Sequence, residues 1–194
     1  MRVISGKARG KKLVAPAGMH TRPVTDQIKE ALFSSWQFRI NGARFLDCFA
    51  GSGSMGIEAI SRNASYTVFI DNDNEANKII HQNLKACHFD SNYKVLKEDV
   101  FQAFNYLDSK KESFDIIYMD PPYTVDEIFI PVMEAISKTN LLKNDGILAI
   151  RTKKEKEMPN RFNHLVKTKQ KKYGISMVHF YELEEIKEVE NKKN

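Results

Sequence analysis

The run Asp120-Pro121-Pro122-Tyr123 joins a carboxylate, two successive prolines and an aromatic ring. Two prolines fix the backbone and remove two N–H donors, leaving carbonyls that neither a helix nor a ladder satisfies. A stiff loop of acceptors beside a ring suits a planar group that carries an NH2. The Asp120 carboxylate and the Pro121 carbonyl can accept the two amino hydrogens, which frees the nitrogen lone pair to face an electrophilic methyl carbon. Tyr123 can stack on the face of an unstacked base, and a paired target must first be flipped out. Asp120, Pro121, Pro122 and Tyr123 are therefore the candidate catalytic residues, with positioning and electrostatics carrying the rate. The plain alternative is a strand-ending Pro-Pro turn with a capping aspartate.

A second chemical signal lies upstream. Asp47-Cys48-Phe49-Ala50-Gly51-Ser52-Gly53-Ser54-Met55-Gly56 holds a literal G-x-G-x-x-G, and Asp71 follows it at the spacing of a dinucleotide site. A nicotinamide or flavin oxidoreductase is thus one reading. Two residues favour S-adenosylmethionine instead. Asp47, just before the turn, would repel a pyrophosphate but suits a ligand with an ammonium and a sulfonium. Glu98-Asp99 stands where a carboxylate can accept from an adenine amino group. Asp71 would hold ribose hydroxyls in either case, with Asp73 its rival. Asp47, Phe49, Ala50, Gly51, Gly53, Asp71, Asp73, Asp99 and Val100 make up the candidate cofactor set; no metal is expected.

These residues need a frame. Apolar runs at 44–49, 66–70, 93–96, 114–119 and 146–150 read as strands. Between them, Ala76, Ile79, Ile80, Leu84 and Cys87, then Phe101, Phe104 and Leu107, then Ile128 to Ile136, fall at helical spacing. Strand–helix alternation calls for a mainly parallel sheet with helices on both faces, a Rossmann-like α/β fold. Such sheets gather ligands at the C-terminal strand ends, so Asp47, Asp71, Asp99 and Asp120 should share one rim. Thr25 or Asp26 can cap a helix carrying Ile28, Ala31, Leu32 and Trp36. The first residues read as a small basic hairpin, and segments around 166–172 and 175–181 as an antiparallel pair. One domain is expected over 1–181, with 1–24 a basic extension and 182–194 a charged tail.

The chain has 194 residues and a formal charge of +5. Residues 1–25 carry Arg2, Lys7, Arg9, Lys11, Lys12 and Arg22 without one acidic residue, and a second basic stretch runs from Arg151 to Lys172. Two basic segments point to a polyanion such as a phosphate backbone, although charge runs alone are usually solvated surface. No apolar run reaches the ~20 residues of a membrane span. The N-terminus lacks an apolar signal region, so a cytoplasmic protein is expected. Cys48 and Cys87 fall on apolar positions and read as buried thiols, neither a disulfide nor a metal pair.

With both motifs placed, the chain resembles the bacterial 16S rRNA guanine-N2 methyltransferases of the RsmD type over roughly residues 1–181. The resemblance rests on Met1-Arg2-Val3-Ile4-Ser5-Gly6, Arg9-Gly10-Lys11-Lys12-Leu13, Thr21-Arg22-Pro23-Val24-Thr25-Asp26, Phe49-Ala50-Gly51-Ser52-Gly53, Glu58-Ala59-Ile60-Ser61-Arg62 and Asp120-Pro121-Pro122-Tyr123. It implies a class I methyltransferase fold and S-adenosylmethionine held around Asp47, Gly51, Gly53, Asp71 and Asp99. The substrate it implies is 16S rRNA within an assembling small ribosomal subunit. Arg2, Arg9, Lys11, Lys12, Arg22 and Thr25 are the candidate substrate contacts, a capped helix start being the equal alternative at Thr25. An adenine or cytosine amino-methyltransferase and a noncatalytic RNA-binding assembly factor stay open as rivals. Asp120 carries a weak preference for guanine, because a carboxylate can accept from both N1–H and N2–H.

Overall fold

The computed structural model describes residues 1–18 and 23–185. Its sheet is built from β1 (Arg44–Cys48), β2 (Tyr66–Ile70), β3 (Tyr93–Leu96), β4 (Phe114–Met119), β5 (Leu142–Lys153), β6 (Arg161–Phe162), β7 (Leu165–Tyr173) and β8 (Ser176–Leu183). The spatial order is β3-β2-β1-β4-β5-β8-β7-β6. Strands β1 to β5 pair in parallel, and β8, β7 and β6 close the sheet antiparallel. The class I methyltransferase architecture expected from the sequence is the one observed. Chain order reverses between β1 and β4, which leaves a crevice at their C-terminal ends where such sheets bind ligands.

Helices α1 (Asp26–Ser35), α2 (Ser54–Ser61), α3 (Asn74–Ala86), α4 (Val100–Ser109) and α5 (Phe129–Ser137) cover both faces. Alternation along the strands sends one set of side chains to each. Leu46, Ile70, Ile117, Met119, Leu148 and Ile150 pack against α4 and α5. Phe45, Ile116, Tyr118, Ala149, Val178 and Phe180 face Leu32, Phe33 and Trp36 of α1. Parallel strands covered on both faces are buried residue after residue, as β1 is over 45–48 and β2 over 67–70.

The N-terminal segment joins this core. It forms one antiparallel bridge, Arg2 to Lys12, rather than two regular strands. Val3 and Leu13 are buried with Ile57, Ile60, Phe69 and Ile80. Strand β5 runs well past the expected 146–150, so Arg151 belongs to the sheet and not to the solvated basic stretch. Both cysteines are buried free thiols. No described helix is long and apolar enough to cross a membrane. Arg22 and the tail after Glu185 lie outside the described residues.

Candidate active site

The turn after β1 is shaped by backbone conformation. Phe49 adopts φ 58° and Gly53 φ 78°, the latter at the N-cap of α2. Positive φ is unfavourable for a residue with a large side chain, so the fold holds Phe49 against local preference. Gly56 answers a different need: a Cβ there would lie 2.3 Å from the Phe69 ring, so the missing side chain lets α2 press onto β2. Its N–H donates to Asp47 Oδ2 at 3.0 Å. Asp47 is buried, and burial pushes its pKa well up; the Gly56 N–H opposes this, while Asp120 and Asp71 add to it. A buried carboxylate of this kind favours a nearby cation.

Beside the turn lies a cavity of about 460 Å³. Its walls include Phe49, Gly51, Asp71, Asp73, Asp99, Val100, Asp120 and Pro122, bringing the ends of four parallel strands to one place. The acidic residues also hold local structure. Asp71 accepts from the N–H groups of Gly51 at 2.8 Å and Asp73 at 3.0 Å. Burial raises the Asp71 pKa against those two bonds. Asp73 caps α3 through Ala76 N–H at 2.8 Å, and Asp99 caps α4 through Phe101 N–H at 2.9 Å. Each cap uses one oxygen, so both carboxylates keep acceptor capacity toward a ligand. Pro16, Ala17 and Gly18 lie across the cavity's flank. Buried Asn83 ties that segment down: its side chain bonds Val14 N–H and C=O and the Ser52 carbonyl, each at 2.9 Å.

A smaller cavity of about 50 Å³ is lined by Pro23, Val24, Asp47, Ala50, Tyr118 and Asp120, among others. Asp120 thus borders both spaces. Its carboxylate accepts from Arg151 Nε at 3.0 Å and Nη2 at 2.8 Å, and from Tyr118 Oη at 3.3 Å. Burial raises the Asp120 pKa, and Arg151 works against that rise. Tyr123 Oη donates to the Thr152 carbonyl at 3.1 Å and lies 3.0 Å from Ser176 Oγ. The Pro122 carbonyl accepts from Val125 N–H, a turn that follows directly from the two prolines.

Of the expected residues, Asp71, Asp73, Asp99, Val100, Gly51, Phe49, Asp120 and Pro122 meet at the larger cavity, and Asp47 and Ala50 at the smaller one. Gly53, Pro121 and Tyr123 are not among the residues lining either cavity. Thr25 is the N-cap of α1, its Oγ1 accepting from Ile28 N–H at 3.2 Å. Arg2, Arg9, Lys11 and Lys12 are exposed. Their segment is fastened by buried Glu58, which accepts from Ile4 N–H at 2.9 Å and Ser5 N–H at 3.1 Å. Glu58 also pairs with buried Lys29 at 3.5 Å and with Arg62 at 2.9 Å.

Sequence reasoning missed Arg151, Asn83, Lys29 and Glu58 as parts of this assembly. Arg151 had a usable signal: it follows the last apolar residue of β5 as Asp120 follows that of β4, and Met119 pairs with Ile150. Asn83 and Lys29 sit on helices whose apolar stripes give no hint of a polar contact inside.

A family model described as conserved hypothetical protein 95 matches residues 1–182. The chain is 35% identical over 181 residues to "Putative rRNA methyltransferase YlbH" of Bacillus subtilis, covering 93% of this chain and 98% of that one. It is 35% identical over 149 residues to ribosomal RNA small subunit methyltransferase D of Escherichia coli K12, covering 77% and 70%. Among solved structures, "Putative methyltransferase yhhF from Escherichia coli" superposes with a TM-score of 0.81 at 28% identity, covering 95% of this chain and 98% of that one.

Proposed function

The chain belongs to the family described as conserved hypothetical protein 95, the RsmD type its motifs resemble, and on that premise we propose that it transfers the methyl group of S-adenosylmethionine to the exocyclic N2 amine of a guanine in 16S rRNA. Methyl transfer to rRNA from S-adenosylmethionine is the activity of a chain with this membership and fold. The guanine, its N2 atom and presentation by an assembling small subunit are the finer part of the reading, as is a cytoplasmic place of work.

One observation carries it: Asp71, Asp73, Asp99, Asp120 and Pro122 border a single cavity. The acidic wall suits the cofactor's hydroxyls and amino groups, with Asp71 or Asp73 at the ribose, Asp99 toward the adenine and Asp47 toward the ammonium. The apolar parts of Phe49, Ile70, Val100 and Ile128 flank the same space. When bound, S-adenosylmethionine supplies a methyl carbon on a sulfonium; its C–S bond breaks as the N–C bond forms. The protein's own task is to hold the amine. The Asp120 carboxylate and the Pro121 carbonyl take its two hydrogens, which localises the lone pair on nitrogen. One of those protons then leaves to water or Asp120. Tyr123, Pro121 and Pro122 keep the loop in place while this happens.

The RNA is met from two sides. The exposed Arg2, Arg9, Lys11 and Lys12 form one limb, and Arg22 and Thr25 are further candidate RNA contacts. The other limb lies on the sheet face that carries Arg151. There Arg151 pairs with Val178 and Val178 with Lys171, so a row of neighbours leads from Asp120 to the β7 lysines. Lys169 and Lys171 are exposed, and their ammonium groups lie 4.7 Å from the Phe180 ring and 5.5 Å from the Tyr173 ring. Exposed Lys153 is on this face as well. Phosphates bound there position the RNA while the cavity selects the base.

Labelled methyl donor offered with naked 16S rRNA, assembled small subunits and duplex DNA tests the proposal. Label is expected on a guanine of 16S rRNA; label confined to DNA, or found on adenine or cytosine, would overturn it.

A further inference from the structure

We propose that Arg151 is a positioning residue that presets the Asp120–Tyr123 loop for the amine, gripping the loop at both ends and leaving Asp120 one acceptor position for the substrate. The proposal rests on the methyl-transfer reading above and adds a component that neither motif contains.

The geometry is specific. Arg151 is 3% exposed and presents Nε and Nη2 to the two Asp120 oxygens, the fork arrangement in which a guanidinium fixes both position and plane of a carboxylate. Its third nitrogen, Nη1, donates to Ser176 Oγ at 3.3 Å. The same guanidinium stands 5.2 Å from the centre of the Tyr123 ring, whose hydroxyl is held by Ser176 and Thr152. The first and last residues of the loop are therefore bound to one buried cation and to the β5–β8 pair that carries it. The two prolines between them stiffen what the arginine holds.

Acceptor arithmetic follows. A carboxylate offers about four lone-pair positions. Arg151 takes two and Tyr118 a third, which leaves about one for the substrate amine. Asp120 then accepts one amino hydrogen, the Pro121 carbonyl accepts the other, and a guanine N1–H must find its acceptor elsewhere. The weak preference for guanine expected from Asp120 alone is thereby lost, and base selection moves to the rest of the pocket.

Arg151 also bears on the protonation of Asp120. Among the described residues, the titratable groups around Asp120 are Asp47 from β1, Tyr118 from β4, Tyr123 from the loop and Arg151 from β5. Arg151 is the one cation in that set and opposes the burial that favours a protonated acid. Only the ionised carboxylate is purely an acceptor.

Arg151→Met and Arg151→Lys test this, with Ser176→Ala as a milder variant that keeps the buried ion pair. For Arg151→Met, kcat should fall about 100-fold, the scale of a misplaced reacting group. S-adenosylhomocysteine affinity should stay within about 3-fold and the acid limb of the kcat profile should move to higher pH, because Asp120 has lost its counter-cation. Arg151→Lys should restore the acid limb while recovering only part of the rate, and Ser176→Ala should lower kcat more than it changes KM. Asp120 titration followed by carboxyl NMR in the substrate-free wild type and Arg151→Met reads the counter-cation without any transfer assay. Failure of the methyl-transfer reading is thus separable: wild type would move no label, yet Asp120 would still respond to Arg151. An unmoved acid limb with wild-type kcat in Arg151→Met, or an Asp120 titration indifferent to Arg151→Met, overturns the proposal. Should Arg151→Met not fold, wild-type kcat in both Arg151→Lys and Ser176→Ala overturns the proposal.

Discussion

Two aspartates of the site do opposite kinds of work in their surroundings. Asp120 accepts from three protein donors, whereas Asp47 is buried with one backbone N–H on Oδ2 and two other carboxylates nearby. Its folded pKa is raised above the unfolded value, so the favourable contribution exists at low pH and is lost as pH rises through the folded pKa. Toward neutral pH the buried Asp47 therefore costs the ligand-free protein stability. Asp47→Asn keeps an acceptor for Gly56 and removes that charge. Its Tm relative to wild type should rise steadily as melts are taken from pH 4.5 to 8, while S-adenosylhomocysteine binding weakens. A variant with a pH-independent Tm difference and wild-type binding would remove Asp47 from the cofactor's ammonium. Both aspartates were visible in the sequence by their place beside the glycines and prolines. Their partners were not, because Arg151 and Gly56 reach them through pairings that only the folded sheet creates.

At the scale of elements, the third glycine of the turn is about packing. A Cβ at Gly56 would overlap the Phe69 ring, and α2 carries both Glu58, which fastens the N-terminal segment, and the Gly-rich turn at its start. Gly56→Ala should therefore cost about 1–3 kcal/mol by urea titration, the usual penalty of overpacking. Affinity for S-adenosylhomocysteine should drop with it, since α2 cannot move without the turn. An unchanged midpoint would mean that Phe69 swings away freely. Strands, helices and their order were legible from apolar spacing and the two motifs, as at 66–70 for β2. The reach of β5 was not: Arg151, Thr152 and Lys153 look like the start of a polar loop, and only their pairing with Val178, Met177 and Ser176 keeps them in the sheet. Likewise the N-terminal segment reads as a hairpin from its glycines, yet its shape comes from Glu58 and Asn83 on distant helices.

For the whole molecule, the two basic limbs flank a rim of carboxylates, so the site itself repels phosphate while its borders attract it. The proposed function assigns the RNA backbone to those borders and an uncharged base to the rim. Lys153→Ala, Lys169→Ala and Lys171→Ala together should weaken binding to a 16S rRNA fragment. The slope of log affinity against log salt should become shallower by about 2, as expected when three single-strand phosphate contacts are lost. S-adenosylhomocysteine binding should not change. An unaltered slope would confine RNA contact to the N-terminal limb. The charge runs were plain in the sequence, but which lysines share a face with Asp120 depended on the β5–β8–β7 register.

Nucleoside analysis by mass spectrometry tests the central claim most directly. Small ribosomal subunits lacking the modification are incubated with S-adenosylmethionine and wild-type or Asp120→Ala protein, and the 16S rRNA is digested to nucleosides. A single gain of N2-methylguanosine is expected with wild type, and none with Asp120→Ala although that variant still binds S-adenosylhomocysteine. A methylated adenosine or cytidine, or an undiminished N2-methylguanosine yield from Asp120→Ala, would contradict it.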